Sequence, residues 1–391
     1  MQLTDDGYFA LAKLEQWYRK CNHQIIDIAG IQGTGLYEVI QEFIAKMEFD
    51  PREVMYLSYD QKQVLEMAAK RMHAYYLPSI IYKYTKIVNF DTLPILNPAS
   101  NIVEYQWKKD VRKKIDPKYR MIIVFDSVLM SHKTLNDLCS FGLPIILLRD
   151  PKLIPAPDTY TFLREPNIML NQLHPVLLRN PIMYFANKVL RGEKLAYGSY
   201  DTVSIIAKKQ LNLYNLKSPE MVITLSDEMM DSINKVYRNK VIRSKDGTNC
   251  IGERLIIMSN MYNHKLVNSN EKKVKVFLQK GLIGTISKCN KHAPCTRYIP
   301  INFEPEFYHD SFEDLYIDRN YLNGVDTPSR QQIPDEILYA KYAYALSVPL
   351  ARLSHWNKIT LIADDSYDGE TQRILLYNAI TRCTQSMTLV L

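Results

Sequence analysis

The sequence lacks any apolar run long enough to cross a membrane. Its apolar runs, such as Met121–Phe125 and Leu143–Leu148, have strand length, whereas a membrane-spanning helix needs about 20 apolar residues. The first residues lack the basic region and apolar stretch of a signal peptide, so we expect a cytoplasmic protein. Only six cysteines occur in 391 residues, scattered at positions 21, 139, 250, 289, 295 and 383. Without an export signal, reduced thiols are expected and a disulfide-stapled secreted fold is disfavoured.

Neither sign of charge is in strong excess, because the formal net charge is only +7 at pH 7. Such a charge permits nucleic-acid binding without requiring it. A hydrophobic fraction of 47% and a charged fraction of 23% are typical of a soluble globular protein, and 391 residues predict two to four domains. Basic side chains cluster at Lys108–Lys114 and Lys272–Lys275. Each cluster is either solvated surface or a track for phosphates.

Residues 30–37 read Gly-Ile-Gln-Gly-Thr-Gly-Leu-Tyr, which keeps the glycines of a phosphate-binding loop without its working side chains. In the pattern Gly-x-x-x-x-Gly-Lys-Ser/Thr, backbone N–H groups surround a phosphate, the lysine neutralises its charge and the hydroxyl binds Mg²⁺. Leu36 stands at the lysine position and Tyr37 at the hydroxyl position. The apolar run Ile25–Ala29 precedes the loop, and a helix predicted over 37–47 follows it. This strand–loop–helix context makes a random turn the weaker interpretation.

Predicted strands and helices alternate along most of the chain, which indicates a parallel α/β sheet. The predicted strands include Val54–Ser58, Met121–Phe125, Leu143–Leu148 and Met221–Leu225. Residues 246–330 lose helical periodicity and read as short strands with turns. We interpret them as a small inserted β domain.

Several stretches, taken together and in chain order, resemble the motifs of superfamily 1 DNA helicases of the RecD/Dda type, as found in phages. The stretch Leu375–Arg382 reads Leu-Leu-Tyr-Asn-Ala-Ile-Thr-Arg and closely resembles the last motif of that family, with its arginine intact. The other stretches are Leu3–Gly7, Gly30–Tyr37, Tyr76–Tyr82, Ile122–Asp126, Arg149–Pro155, Asn171–Asn180 and Ala343–Leu353.

The resemblance implies an α/β fold of two RecA-like parallel-sheet domains with small β insertions. It places the first RecA-like domain (1A) at 1–160, with a 1B-like insertion at 84–118. The second RecA-like domain (2A) is expected at 161–245 and 336–391. A 2B-like, SH3-like β domain is expected between those two parts, at 246–335.

The departures from the family pattern fall on its polar catalytic positions. Phe125 stands where the family has the Mg²⁺-binding Asp, and Leu153 stands where it has the Gln that senses the γ-phosphate. Pro175, Pro349 and Leu350 replace further polar motif residues. Phosphoryl transfer depends almost wholly on positioning and electrostatic stabilisation, so we expect no ATP turnover, no catalytic residue and no Mg²⁺ site.

Nucleotide binding without hydrolysis is a separate question. The resemblance assigns Gly30, Gly33, Thr34, Gly35 and Arg382 to a vestigial nucleotide site. These residues either still hold a phosphate or serve only the fold, since glycines preserve the backbone turn and an arginine commonly pairs with a carboxylate. The second interpretation is favoured, and no cofactor is expected.

Single-stranded DNA is the expected nucleic-acid partner, because the family carries it across both RecA-like domains. Aromatic side chains stack on bases, and lysines neutralise phosphates. The candidate contacts are Tyr59, Tyr76, Trp107, Lys108, Lys109, Ser347 and Trp356.

Cys289, His292 and Cys295 lie within seven residues of one another and suggest zinc. A closed zinc site needs four ligands, and the spacing indicates no fourth one. Ordinary loop residues are the favoured interpretation, so no metal is expected.

Two functions remain open on the sequence. The first is a catalytically inactive helicase-like protein that binds DNA or acts as a scaffold, with a protein partner, in a phage-type replication or recombination assembly. It would then act in the host cytoplasm. The alternative is a protein-interaction or inhibitor module that uses the helicase fold without DNA. An active ATP-dependent helicase is the interpretation that the motif residues oppose most.

Overall fold

The computed structural model describes residues 3–88, 103–110, 113–154, 165–175, 179–243, 251–259, 261–267, 273–278, 280–289, 297–306, 311–325, 337–352 and 354–391. Within these ranges the chain forms two compact units. Unit 1 comprises Met1–Ile81, Val111–Met230 and Leu346–Leu391, and unit 2 comprises Tyr82–Asp110 and Asp231–Ala345. Among the helices described, none has the length and apolar character needed to span a bilayer.

The strands are numbered in chain order. They are β1 (Ile25–Gly30), β2 (Val54–Ser58), β3 (Ala74–Tyr76), β4 (Tyr82–Val88), β5 (Val103–Lys109), β6 (Met121–Val124), β7 (Ile145–Arg149), β8 (Ile168–Leu170), β9 (Gly198–Tyr200), β10 (Val203–Ile206), β11 (Met221–Thr224), β12 (Arg254–Ile257), β13 (Met261–Val267), β14 (Lys273–Leu278), β15 (Ile283–Cys289), β16 (Tyr298–Pro305), β17 (Ser311–Asp318), β18 (Ile337–Leu338), β19 (Ala340–Tyr342), β20 (Ala345–Ser347), β21 (Trp356–Ile362) and β22 (Cys383–Val390).

The α-helices are numbered in the same way. They are α1 (Asp5–Lys20), α2 (Leu36–Lys46), α3 (Gln61–Ala69), α4 (Leu77–Ile81), α5 (His132–Cys139), α6 (Pro181–Leu190), α7 (Leu213–Lys217), α8 (Asp227–Tyr237), α9 (Arg319–Leu322), α10 (Val348–Ala351) and α11 (Gly369–Ile380). Short 3₁₀ turns occur at Pro51–Glu53, Ser127–Leu129 and Lys208–Gln210, and a π-helical turn at Arg238–Ile242.

The first sheet of unit 1 has six strands in the order β3-β2-β6-β7-β1-β8, and its strand pairs run parallel. Strands β2, β6 and β7 are buried along their whole length, as expected for a sheet covered on both faces. Helices α1 and α2 contribute Leu14, Val39 and Phe43 to the core beside this sheet. A parallel sheet connected by helices is the architecture that the alternating pattern predicts.

The second sheet of unit 1 has the order β20-β11-β21-β22-β10-β9. The pairs β11–β21, β21–β22 and β22–β10 are parallel, and only the edge strand β9 is shown pairing antiparallel. Helix α11 connects β21 to β22 and buries Leu375, Leu376 and Tyr377. The predicted fold class, two RecA-like parallel sheets with β insertions, is therefore confirmed.

Unit 2 is built from antiparallel strands. Its main sheet has the order β14-β13-β17-β16-β15-β12-β19, with β18 joined parallel to β17, and the hairpin β4–β5 forms a separate two-stranded sheet. Strands β18 and β19 belong to this sheet, although they lie in the segment 336–391 that the sequence assigns to the second RecA-like domain. The insertion expected at 84–118 lies partly outside the described residues, which stop at Val88 and resume at Val103.

Local features set the ends of several elements, and two of these ends differ from the sequence prediction. Helix α3 ends at Ala69, shortly before Arg71, which adopts a left-handed conformation with φ of 62°. Strand β7 begins at Ile145 instead of Leu143, after Pro144, whose nitrogen has no hydrogen to donate to a neighbouring strand. Helix α2 begins one residue early, at Leu36, after Gly35 with φ of 79°.

Candidate functional site

The glycine loop joins β1 to α2 and folds tightly on itself. A Cβ added to Gly30 would lie 2.4 Å from Oγ1 of Thr34 and 3.1 Å from Cβ of Leu170, so only glycine fits there. The Thr34 hydroxyl donates to the carbonyl of Ile31 at 2.8 Å, which places it inside the turn. Gly33 has φ of 99°, a conformation that glycine adopts without strain. The loop backbone thus keeps the turn that a phosphate cradle requires.

The two side chains that follow Gly35 are apolar or aromatic, and that of Tyr37 is 40% exposed. Leu36 is half-buried and packs against the core of the first sheet. The Tyr37 ring lies 6.4 Å from the Phe125 ring, measured between centroids, and the Phe125 ring lies 6.2 Å from that of Tyr56. We call Tyr37, Phe125 and Tyr56 the aromatic cluster. Two of its members, Tyr37 and Phe125, stand where the family resemblance would place metal-binding side chains.

Asp126 follows Phe125 in the turn between β6 and the 3₁₀ turn Ser127–Leu129. It adopts a left-handed conformation with φ of 50°, and Nε2 of Gln63 donates to its Oδ2 at 2.9 Å. Burial raises the pKa of the Asp126 carboxyl to about 6, against the favourable charge of Arg382, which lowers it. A carboxyl of this kind changes protonation in the range in which most carboxyls stay ionised.

Arg382, at the end of the stretch that resembles the last helicase motif, is buried, with 6% of its surface exposed. Its Nε donates to the carbonyl of Asn378 at 3.1 Å, and its Nη2 donates to Oγ1 of Thr381 at 3.1 Å. Burial lowers the pKa of Arg382, whereas the charges of Asp126 and Asp150 raise it. The arginine therefore interacts electrostatically with carboxylates of its own chain, while its side-chain hydrogen bonds go to Asn378 and Thr381.

Tyr377 connects the glycine loop to the end of β7. Its hydroxyl accepts a hydrogen bond from the backbone N–H of Gln32 at 2.9 Å and donates one to Oδ2 of Asp150. Burial raises the pKa of Asp150, while the hydrogen bond from Tyr377 lowers it. One N–H of the glycine loop is thus bonded to a side chain of helix α11.

A cavity of about 470 Å³ lies between these groups, all of them in unit 1. Its walls include Leu36, Tyr37, Phe125 and Met183, and Arg382 reaches it as well. Acidic side chains also line it, at Glu38, Asp126 and Asp150. Glu38 lies in the first turn of α2, where its negative charge offsets the positive end of the helix that would attract an anion.

The residues assigned from the sequence to a vestigial nucleotide site come together in unit 1. Gly30, Gly33, Gly35 and Arg382 line the cavity, and Thr34 is buried in the turn beside it. That this site is vestigial and holds no cofactor stays a prediction. In the part of the chain that the structure describes, no group of three or more His, Cys, Asp or Glu side chains could hold a metal ion.

The candidate DNA contacts differ in exposure. Tyr59 and Tyr76 are half-buried in unit 1, and Lys109 is exposed in unit 2. Ser347 is fully buried and only 7% of Trp356 is exposed, so both side chains face the interior of the second sheet. Strand β5 contains Trp107 and Lys108, whose side chains lie outside the described set. The DNA-binding role of all seven residues stays a prediction.

The proposed zinc ligands are described only in part. Cys289 is a free, half-buried thiol at the end of β15. His292 and Cys295 lie outside the described residues.

Sequence reasoning missed the polar partners at this site: Gln63, Asp150, Tyr377 and Asn378. Tyr377 and Asn378 stand in the stretch that resembles the last motif, and Asp150 stands in Arg149–Pro155, so their positions were visible without their roles. Gln63 carried no signal, since it lies on an ordinary amphipathic helix.

Comparison with known proteins shows a likeness in fold, to solved structures alone. No family model and no curated protein sequence matches the chain. A structure from a study of DNA unwinding at forked duplex DNA by two coordinating Pif1 helicases has a TM-score of 0.50 and 11% identity, over 100% of this chain and 92% of that chain.

Two further Pif1 helicase structures have lower scores. The enzyme from Bacteroides, in complex with ADP-AlF3 and single-stranded DNA, has a TM-score of 0.46 and 12% identity over 100% of this chain and 92% of that chain. The enzyme from Candida albicans has a TM-score of 0.46 and 10% identity over 100% of this chain and 94% of that chain. The first likeness, at its low identity, establishes a helicase-like fold and nothing about activity.

Proposed function

We propose that this chain is a helicase-like protein, of the RecD/Dda type, that does not hydrolyse ATP. The observation that carries the proposal is the aromatic cluster of Tyr37, Phe125 and Tyr56, which occupies the region where metal ligands would be needed. Losing one preorganised polar group typically costs about 10²–10³ in rate, and several are replaced together in this chain. A working ATPase would need all of these polar groups together.

The contacts of the remaining polar groups support the same proposal. Arg382 is bonded to Asn378 and Thr381 and interacts electrostatically with Asp126 and Asp150, so its charge is partly offset within the protein. Glu38, Asp126 and Asp150 add negative charge to the cavity. The phosphates of a nucleotide would meet repulsion from these carboxylates without a metal ion to offset it.

We propose further that the fold serves as a DNA-binding or scaffolding subunit in a phage-type replication or recombination assembly. The mild positive charge of +7, the exposed Lys109 and the half-buried aromatic residues Tyr59 and Tyr76 suit a single strand of DNA. The alternative is a protein-interaction or inhibitor module. The exposed tyrosines of unit 1, such as Tyr197 at 61% and Tyr214 at 71% exposure, favour that alternative.

Titration of a fluorescent single-stranded oligonucleotide at several salt concentrations separates the two functions. Counterion release makes the affinity fall with salt, by a slope near −0.7 for each phosphate contacted by a cation. We expect binding that weakens steeply with salt and that is reduced by Lys109→Ala. Tyr214→Ala is the matched control, because this exposed side chain lies outside the candidate contacts. Absence of binding at low salt would favour the protein-interaction module.

A further inference from the structure

The glycine loop and the loop after β7 are both bonded to helix α11, which belongs to the second sheet of unit 1. We propose that α11 holds the two parallel sheets together at the glycine loop in the absence of a nucleotide. We call the responsible pair, Tyr377 and Asn378, the α11 clamp. The inference rests on the proposed function, since it concerns the same site and assumes that no ATP cycle operates there.

The Tyr377 half of the clamp makes two contacts with the first sheet. The hydroxyl accepts from the N–H of Gln32 in the glycine loop and donates to the carboxylate of Asp150. Only 1% of the tyrosine is exposed, so water cannot easily replace either bond. Hydrogen bonds to charged groups are stronger than neutral ones, and an unpaired buried partner is costly.

The Asn378 half holds the loop that follows β7. Its Nδ2 donates to the carbonyl of Lys152 at 2.8 Å, and its Oδ1 accepts from the N–H of Ile154 at 3.4 Å. Nη1 of Arg352, which follows α10, donates to the carbonyl of Ile154 at 3.0 Å. The same short loop is therefore bonded from two elements of the second sheet.

Charge complements these bonds. Asp60, Asp126 and Asp150 follow β2, β6 and β7, which are neighbours in the first sheet. Arg352 and Arg382, from the second sheet, interact electrostatically with these carboxylates. Opposite charges thus come from the two sheets, on side chains that are half-buried or, for Arg382, buried, where attraction is screened less than between exposed groups.

These contacts bear on the response to a ligand. Where a nucleotide drives closure, it must bind the closed arrangement more tightly than the open one. In this chain the protein supplies the bonds across the site itself, including the bond to a loop N–H. A nucleotide would therefore add little to the bonds between the two sheets. We expect the arrangement of the sheets to be the same with and without it.

Hydrogen exchange measured by mass spectrometry on the full chain tests the clamp. We expect slow exchange for peptides containing Gln32 and Ile154 without any nucleotide. Tyr377→Phe removes the hydroxyl and keeps the ring, and we expect it to speed exchange in these peptides at least tenfold. Tyr75→Phe is the matched control, because it removes a half-buried hydroxyl that is bonded to Tyr119 at 2.7 Å, away from α11 but also in unit 1.

The wild-type chain supplies a second readout that needs no variant. Addition of a non-hydrolysable ATP analogue with Mg²⁺ should leave exchange of both peptides unchanged. A marked slowing by the analogue would overturn the clamp, as would equal exchange in wild type and Tyr377→Phe. ATP turnover by the wild type would contradict the proposed function, whereas unchanged exchange in Tyr377→Phe, without turnover, would contradict the clamp alone.

Discussion

Replacing Asp126 by asparagine should stabilise the protein at neutral pH. Burial raises the pKa of this carboxyl from its ordinary value of 3.8 to about 6, so at pH 7 the folded protein holds a carboxylate in a half-buried position that favours its protonated form. The asparagine carries no charge, and its Oδ1 can still accept the hydrogen bond that Gln63 donates at 2.9 Å. The substitution therefore removes the cost of the charge while keeping its main neutral contact.

The magnitude and its pH window follow from the same pKa. The folded state binds the proton more tightly than the unfolded state, so stability declines as the pH rises from about 4 to about 6. Above that window the full penalty applies, on the order of 3 kcal/mol for this difference in pKa. Asp126→Asn should be more stable than wild type by up to that amount at pH 7.5, with the difference vanishing near pH 4.

Urea unfolding, followed by tryptophan fluorescence between pH 4 and pH 8, measures this difference. Asp364→Asn is the matched control, and its expected effect has the opposite sign. Burial acts to raise the pKa of Asp364, but hydrogen bonds outweigh burial and leave the pKa lowered. Two of these bonds come from the N–H and the hydroxyl of Ser226. That variant should be less stable than wild type at pH 7.5, by an amount that shrinks only under acidic conditions. Loss of stability in Asp126→Asn at pH 7.5, or a gain that does not vary with pH, would refute the reasoning.

Three further substitutions test the site and its support. Gly30→Ala should lower the free energy of unfolding by about 1–3 kcal/mol, because the added Cβ would lie 2.4 Å from Oγ1 of Thr34. Adding Thr34→Ala to the same chain should recover part of this loss, as measured by urea unfolding. Asp27→Ala should cost about 3–5 kcal/mol, because it removes the carboxylate that lies 2.9 Å from Nη2 of the buried Arg149; an unchanged urea midpoint would contradict this. Leu36→Lys should restore no phosphate release in a colorimetric assay, because the metal ligands are still missing, and turnover in this variant would count against the aromatic cluster as the cause.

The fold was largely predictable because hydrophobic pattern and turn chemistry carry it. Ile25 and Val54 begin strands where the apolar runs begin, and Asn180 caps α6 through its contact with the N–H of Ile182 at 2.9 Å, just before Pro181. Such signals lie within a few neighbouring residues. They specify elements and their order, and the order in turn supports the parallel sheets.

The site was predictable only as a set of substitutions. The sequence shows that Tyr37 and Phe125 replace polar motif residues, but not that their rings approach within 6.4 Å of each other. The bond from Gln32 to Tyr377 joins residues 345 positions apart, and no local pattern predicts a contact at that separation. The burial of Trp356 was missed for another reason: an aromatic residue at the start of a strand can either stack on a base or pack in the core.

The central claim, that the chain carries a helicase-like fold without ATP hydrolysis, is tested most directly by phosphate release. The full chain is incubated with ATP and Mg²⁺, with and without single-stranded DNA, beside an Arg382→Ala variant prepared in the same way. We predict release at the rate of buffer alone in every sample. DNA-stimulated release by the wild type that disappears in Arg382→Ala would contradict the account.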